Sequence, residues 1–323
     1  MFRAVVIALA LALSLQPAQA QIDIMAPFNQ ASAMDEAVVL ARDLAYADGD
    51  RKKLDIYGPK QLAGPAPVVM FIYGGAWKQG RRQDYQFVGH ALAANGFIVV
   101  VPDYRLYPEV TYPGFLEDNA QAAKWIEDNI GAYGGDISRF FIAGHSAGAY
   151  NAVMLGLERS FFRDFGVSMP IKGIAALSGP FDFYPFEYDE VRNVFGQNDN
   201  PEGTQPINLV APDRPPMLVA TGTIDPIVRM QNTQHFAARM REMGDWVTET
   251  YYDGLGHMDA VFAVGAMWRW RAPVLNDMVQ FFTQFGAFPR GAPRPAYTPE
   301  PPAGASDLQQ TIARLDSVLQ PME

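Results

Sequence analysis

Phe140-Phe141-Ile142-Ala143-Gly144-His145-Ser146-Ala147-Gly148 is the stretch on which the fold turns. Its first four residues form a continuous apolar run, the pattern of a strand buried on both faces. Residues 147–157 carry the apolar spacing of a helix. Between them a serine stands flanked by Gly144 and Gly148. A serine on so sharp a strand-to-helix turn projects its Oγ into the cleft above a sheet. Glycines on either side remove Cβ atoms that would clash in the turn. The helix that follows aims its free N–H groups and the positive end of its dipole at the same point. Ser146 is therefore a candidate nucleophile, and the Ala147 N–H a candidate donor to a developing oxyanion.

Working outward, apolar runs alternate with helical patterns on both sides of this turn. Strands are predicted at 54–57, 67–73, 97–101, 140–144, 174–177, 217–221 and 246–252. Helices are predicted at 116–130, 147–157, 228–243 and 273–285. This alternation predicts an α/β fold, a mostly parallel central sheet with helices on both faces. Residues 21–49 read as a helical or irregular lead-in. Residues 180–216 break the rhythm with Phe181, Phe183, Tyr184, Phe186 and Tyr188, followed by polar and Pro-rich sequence. A segment of that length between two strands reads as a lid or substrate-binding insertion, or as a packing excursion over the sheet.

A serine nucleophile needs a base, and the chain has four histidines. His90 and His235 fall in helical patterns, and His145 lies inside the turn, where packing is expected. His257 lies in Gly254-Leu255-Gly256-His257-Met258, a loop at the carboxyl end of the last predicted strand. A sheet of this kind places its chemistry there. Asp225, in the loop after the 217–221 strand, is the candidate acid that fixes the histidine tautomer, with helix capping as its plainer role. Asp225 lies between Ser146 and His257 in sequence, where the acid is sought. Upstream, Tyr73-Gly74-Gly75-Ala76-Trp77 follows the 67–73 strand. Such a loop can turn backbone N–H groups into the cleft, which makes Gly75 and Ala76 the other oxyanion candidates. Trp77 is assigned to substrate binding with Phe181 and Phe183, or else anchors the loop.

These motifs resemble those of the α/β-hydrolase superfamily, and more narrowly its carboxylesterase and hormone-sensitive-lipase-like branch. Asp103-Tyr104-Arg105-Leu106-Tyr107-Pro108-Glu109, Tyr112-Pro113 with Glu117-Asp118, and Gly134-Gly135-Asp136 continue the likeness, which spans residues 51–285. The family has a histidine where this chain has Tyr73, and often a third glycine at Ala76. Asp103 and Arg105 are scaffold in that comparison. The resemblance implies an α/β-hydrolase fold and a serine hydrolase acting on small-molecule carboxylic esters through an acyl-enzyme. Arylformamidase-like or peptidase-like amide hydrolysis and a non-catalytic binding relative are the alternatives. No metal or organic cofactor is implied.

The remaining sequence bounds the setting. The chain of 323 residues is 49% hydrophobic with a formal net charge of -10. An acidic surface argues against nucleic acid and anionic membrane as partners. Arg3, the apolar run 4–15 and Ala18-Gln19-Ala20 read as a cleavable signal peptide over residues 1–20, with Gln21 starting the mature chain. The run is too short to span a bilayer. With no cysteine in the chain, there are no disulfides or thiolate metal sites. A bacterial periplasmic or secreted protein is expected. Residues 287–302 read as a Pro-rich linker. Leu308, Ile312, Leu315 and Leu319 then repeat at helical spacing. That C-terminal amphipathic helix either docks on its own domain, spanning 21–286, or pairs with another subunit in a homodimer.

Overall fold

A computed structural model of the chain describes residues 23–286. The proposed signal peptide and the C-terminal amphipathic helix lie outside the described residues. A short helix α1 (Ala26–Ala31) leads into strands β1 (Ala37–Ala45), β2 (Lys53–Pro59) and β3 (Ala66–Ile72). Helix α2 (Gln86–Ala94), strand β4 (Ile98–Pro102), helix α3 (Gly114–Asn129) and strand β5 (Gly135–His145) follow. Then come helices α4 (Ala147–Leu157) and α5 (Ser160–Asp164), strand β6 (Ile171–Leu177), and helices α6 (Asp189–Phe195) and α7 (Pro206–Leu209). Strand β7 (Met217–Gly222), helix α8 (Gln231–Glu242), strand β8 (Val247–Tyr252), and helices α9 (His257–Phe262) and α10 (Val274–Gln284) complete the order.

The eight strands form one sheet in the order β1-β2-β4-β3-β5-β6-β7-β8. β1 and β2 are antiparallel at one edge, and β2 also meets β4 antiparallel. From β4 to β8 every pairing is parallel. β3, β4 and β7 are buried along their whole length, which is why they read as unbroken apolar runs rather than alternating ones. Each Val, Ile or Phe taken out of water there stabilises the fold by about 1.5–3 kcal/mol. The chain leaves β3 for β4 on one side and returns to β5 on the other. Strand order therefore reverses between β3 and β5, and the crevice above their carboxyl ends is where such a sheet binds ligands.

The lead-in differs from the sequence expectation. Residues 37–45 are not helical or irregular but form the edge strand β1. Two features hide it. No residue of β1 is fully buried, and its register slips twice, between Val39 and Ala41 and between Ala41 and Leu44. Bulges of this kind erase the period-2 pattern by which a strand is recognised.

Arg82 ties this edge to the sheet centre. It is buried and donates through Nε to Asp55 Oδ1 at 2.8 Å, with further ion pairs to Asp103 and Asp43. Its backbone N–H also donates to Asp103 Oδ1 at 2.7 Å. Removing the cation leaves the buried Asp103 without its ion-pair partner and Asp55 with only the half-exposed Arg42, 3.8 Å away. Arg82→Met is expected to lower unfolding stability by about 3–5 kcal/mol in a urea titration, because breaking one side of a buried ion cluster strands the other. A loss below about 1 kcal/mol would contradict this account of the cluster.

Candidate active site

The strand-to-helix turn is closed where β5 meets α4. Ser146 has φ +54° and ψ −123°, a backbone state that costs a non-glycine residue about 1–3 kcal/mol. The surroundings enforce it. The Ser146 N–H donates to Leu177 O at 2.8 Å. A Cβ on Gly144 would lie 2.2 Å from Gly148 O, and one on Gly148 would lie 2.0 Å from Ile72 O. Both contacts are with backbone that cannot yield, so only glycine lets α4 pack this close to β3 and β5.

The loops after β7 and β8 bring the other two candidates to the serine. His257 begins α9, and its Nε2 lies 2.9 Å from Ser146 Oγ. Its Nδ1 lies 2.8 Å from Asp225 Oδ2. The other Asp225 oxygen accepts the N–H groups of Ile227 and Val228, each at 2.9 Å. The residue thus caps the following turn and faces the histidine at once. Burial alone would raise the Asp225 carboxyl, but the His257 bond and charge and the two amides outweigh it and hold it below its ordinary value. An ionised carboxylate only accepts, so Nδ1 carries the imidazole proton and Nε2 presents its lone pair to the serine hydroxyl. Ser146, His257 and Asp225, far apart in the chain, form one hydrogen-bonded line able to take a proton from Oγ.

The Gly74–Gly80 loop lies beside it. Gly75 has φ +131°, and Ala76 and Trp77 have φ +52° and +57°. The Gly75 carbonyl accepts the N–H groups of Lys78 and Gln79, both at 3.0 Å. In a planar trans peptide the N–H points opposite to the C=O, so the Ala76 N–H faces away from this tight turn. The N–H groups of Gly75, Ala76 and Ala147 make no hydrogen bond among the described residues. A cavity of about 730 Å³ is lined by Gly75, Ala76, His145, Ser146 and His257, with Arg51 and Tyr85 on its wall. A second, of about 510 Å³, shares Gly75, Ala76 and Ile227 and adds Tyr188 and Val191 from the 180–216 segment.

The three aromatic substrate-binding candidates sit elsewhere. Phe181 is fully buried against Phe236, ring centroids 4.7 Å apart, and is core. Phe183 is half-buried among Tyr150, Phe186 and Phe195. Trp77 is 4% exposed, its indole turned inward to Asn151. None of the three lines either cavity. An aromatic run in a long loop is equally the composition of a segment that must bury its own core, and here that demand wins. Tyr73, standing where a histidine was the family pattern, donates to Asp103 Oδ1 at 2.9 Å and receives Arg51 Nη2 at 2.8 Å. The hydroxyl thus pins the base of the Gly-rich loop.

His145 packs within the turn, as its position predicts, and also walls the cavity beside the nucleophile. Its Nε2 donates to the His257 carbonyl at 3.0 Å, and the two rings are 5.0 Å apart. His257, Asp225 and Tyr85 face it. Burial, then the His257 charge, push its pKa down to about 3 from 6.5. The unfolded ring binds its proton near 6.5 and the folded ring only near 3. Between these the unfolded state holds the extra proton, so stability is complete above the window and declines as pH falls through it. His145→Gln is expected to flatten that acid-side slope by about 1.4 kcal/mol per pH unit, in urea titrations across the window. An unchanged slope would mean that His145 is not held neutral.

A nucleophile turn after β5, an acid after β7 and a histidine after β8 place the molecule among the α/β-hydrolases. The chain belongs to the BD-FAE family, whose sequence profile matches residues 54–240. His257 lies beyond that span, so its place rests on the geometry above. Among relatives, the chain is 27% identical over 261 residues to the probable isoprenylcysteine alpha-carbonyl methylesterase ICME of Oryza sativa subsp. japonica, covering 74% of this chain and 62% of that one. It is 30% identical over 224 residues to esterase LipQ of Mycobacterium tuberculosis, covering 62% and 53%. The chain thus spans less than two thirds of the length of these relatives. Esterase B from Lactobacillus rhamnosis shares the fold with a TM-score of 0.70 at 19% identity, over 80% of this chain and 91% of that one. A truncated carbohydrate esterase from gut microbiota does so with a TM-score of 0.68 at 21% identity, over 78% and 97%.

Proposed function

We propose that the protein is a serine hydrolase that cleaves carboxylic esters of small molecules through an acyl-enzyme. The observation that carries the proposal is the unbroken line from Asp225 through His257 to Ser146 Oγ, with bonds of 2.8 and 2.9 Å. His257 Nε2 takes the hydroxyl proton as Oγ attacks the ester carbonyl carbon. The tetrahedral oxyanion is held by the N–H groups of Gly75, Ala76 and Ala147. His257 then gives the proton to the leaving alcohol, and the acyl group stays on Ser146. A water, deprotonated by the same nitrogen, releases the acid and restores the serine. Relatives named as methylesterases and esterases support an ester substrate.

p-Nitrophenyl acetate turnover by the purified protein tests the reaction, with acid-quenched samples digested to find the acetylated peptide. Turnover with acetyl on Ser146 is the expected result. A folded protein that leaves acetyl, butyryl and benzoyl esters untouched would overturn the proposal. Export to the periplasm or medium belongs to the same proposal, supported by the sequence pattern of residues 1–20 and the lack of cysteine. N-terminal sequencing of the exported protein should begin at Gln21.

A further inference from the structure

The residue after the candidate oxyanion donors is held by an unusual buried chain. Trp77 Nε1 donates to Asn151 Oδ1 at 2.9 Å, and Asn151 Nδ2 donates to Asn119 Oδ1 at 2.9 Å. Both asparagines are fully buried, on α4 and α3. The far end, Asn119 Nδ2, has no hydrogen-bond partner among the described residues. Burying amides in apolar surroundings is unfavourable unless they are bonded, and this chain is not even fully satisfied. A Leu–Leu pair would pack there without that cost. What the chain provides is an acceptor for one indole N–H.

That indole is fixed on every other side too. Its ring meets Tyr150 and Phe195 edge-on, with centroids 5.2 and 4.8 Å away, and the Trp77 carbonyl accepts the Tyr107 N–H at 2.8 Å. Ala76 and Trp77 both occupy the left-handed region, which residues with a Cβ leave when nothing holds them. Relaxation of φ at Ala76 would rotate the Gly75–Ala76 peptide and swing the Ala76 N–H out of the cavity, and relaxation at Trp77 would turn the next peptide and remove what holds Ala76 in place. The Ala147 N–H, by contrast, belongs to the first turn of α4. Asn151 is on that same helix.

We propose that Trp77 is a positioning residue for catalysis: its indole bond to Asn151 registers the Gly75–Ala76 half of the oxyanion hole to α4, the helix that carries the Ala147 half. The inference rests on the ester-hydrolase reading of the site. Trp77 itself lines neither cavity. Its effect falls on the transition state, where the oxyanion forms, and not on ground-state binding.

The test is a double-mutant cycle on Trp77→Phe and Asn151→Leu in the full chain, with Asn151→Ser as a milder partner and thermal melting of each variant. Readouts are kcat, KM and inhibition by a trifluoromethyl ketone, which forms a tetrahedral oxyanion on the serine. Each single variant should lower kcat by about 10- to 100-fold, the scale of a small misplacement at a reacting centre. KM should stay within about threefold, and ketone affinity should fall in parallel with kcat. The double variant should be no worse than either single one, because both break one bond. Folded variants with kcat within about twofold of wild type, losses confined to KM, or additive losses would each overturn the inference. If Asn151→Leu does not fold, Trp77→Phe, which keeps a ring in the cage, and Asn151→Ser decide it. Wild-type turnover is the control that separates the two claims. A wild type without activity defeats the ester-hydrolase reading, whereas an active wild type with equally active variants defeats only this one.

Discussion

Ser146→Ala should abolish ester turnover, lowering kcat by about a million-fold, the scale seen when such a nucleophile is removed. Among the described residues the Ser146 hydroxyl is the one hydrogen-bonded to the His257 base, with Oγ 2.9 Å from its Nε2. What survives is catalysis by the oxyanion donors and by substrate binding alone, and changes elsewhere in the loop do not approach this loss. The fold should survive. Alanine needs the same φ near +54°, so the turn is no more strained than before, and the Ser146 N–H keeps its bond to Leu177. Melting within a few degrees of wild type, together with the lost turnover, is the expected pair. Retention of even 1% of wild-type kcat would remove Ser146 from the chemistry.

Asp225→Asn should lower kcat by about ten-thousand-fold with the geometry nearly intact. The remaining oxygen can still accept from Ile227 and Val228, so the loop stays in place. The new amide, however, presents N–H toward His257 Nδ1. That nitrogen must then accept, the ring proton moves to Nε2, and no lone pair faces the serine. The stability contribution has a defined sign. The Asp225 carboxyl is depressed in the folded state, so its contribution is present above the ordinary carboxylate pKa and lost as pH falls through the folded value. The stability gap between wild type and Asp225→Asn should therefore narrow in acid. A loss of kcat below about a hundred-fold would mean that the carboxylate does not set the tautomer.

How far these residues could be found without coordinates depends on the kind of constraint each obeys. Ser146 and its glycines were legible because a strained turn admits few residue types. His257 and Asp225 were legible by elimination, since four histidines leave few bases and strand ends are marked by apolar runs. β1 was not, because its bulges and half-exposed faces carry no periodic signal. Phe181 and Phe183 misled because aromatic composition does not say which way a ring points. Asn151 gave no signal at all, since a polar residue inside a helix usually marks the solvent face. Only the position of the Trp77 indole shows why it is buried.

Fluorophosphonate labelling of the purified protein, followed by peptide mapping, probes Ser146, His257 and the oxyanion donors together. The reagent needs an activated serine, a base and a formed oxyanion site at once. One label per chain is expected, on Ser146, lost in Ser146→Ala and in His257→Ala. A folded wild type that takes no label, or takes it at another serine, would contradict the assignment of Ser146, His257 and Asp225 as a working catalytic array.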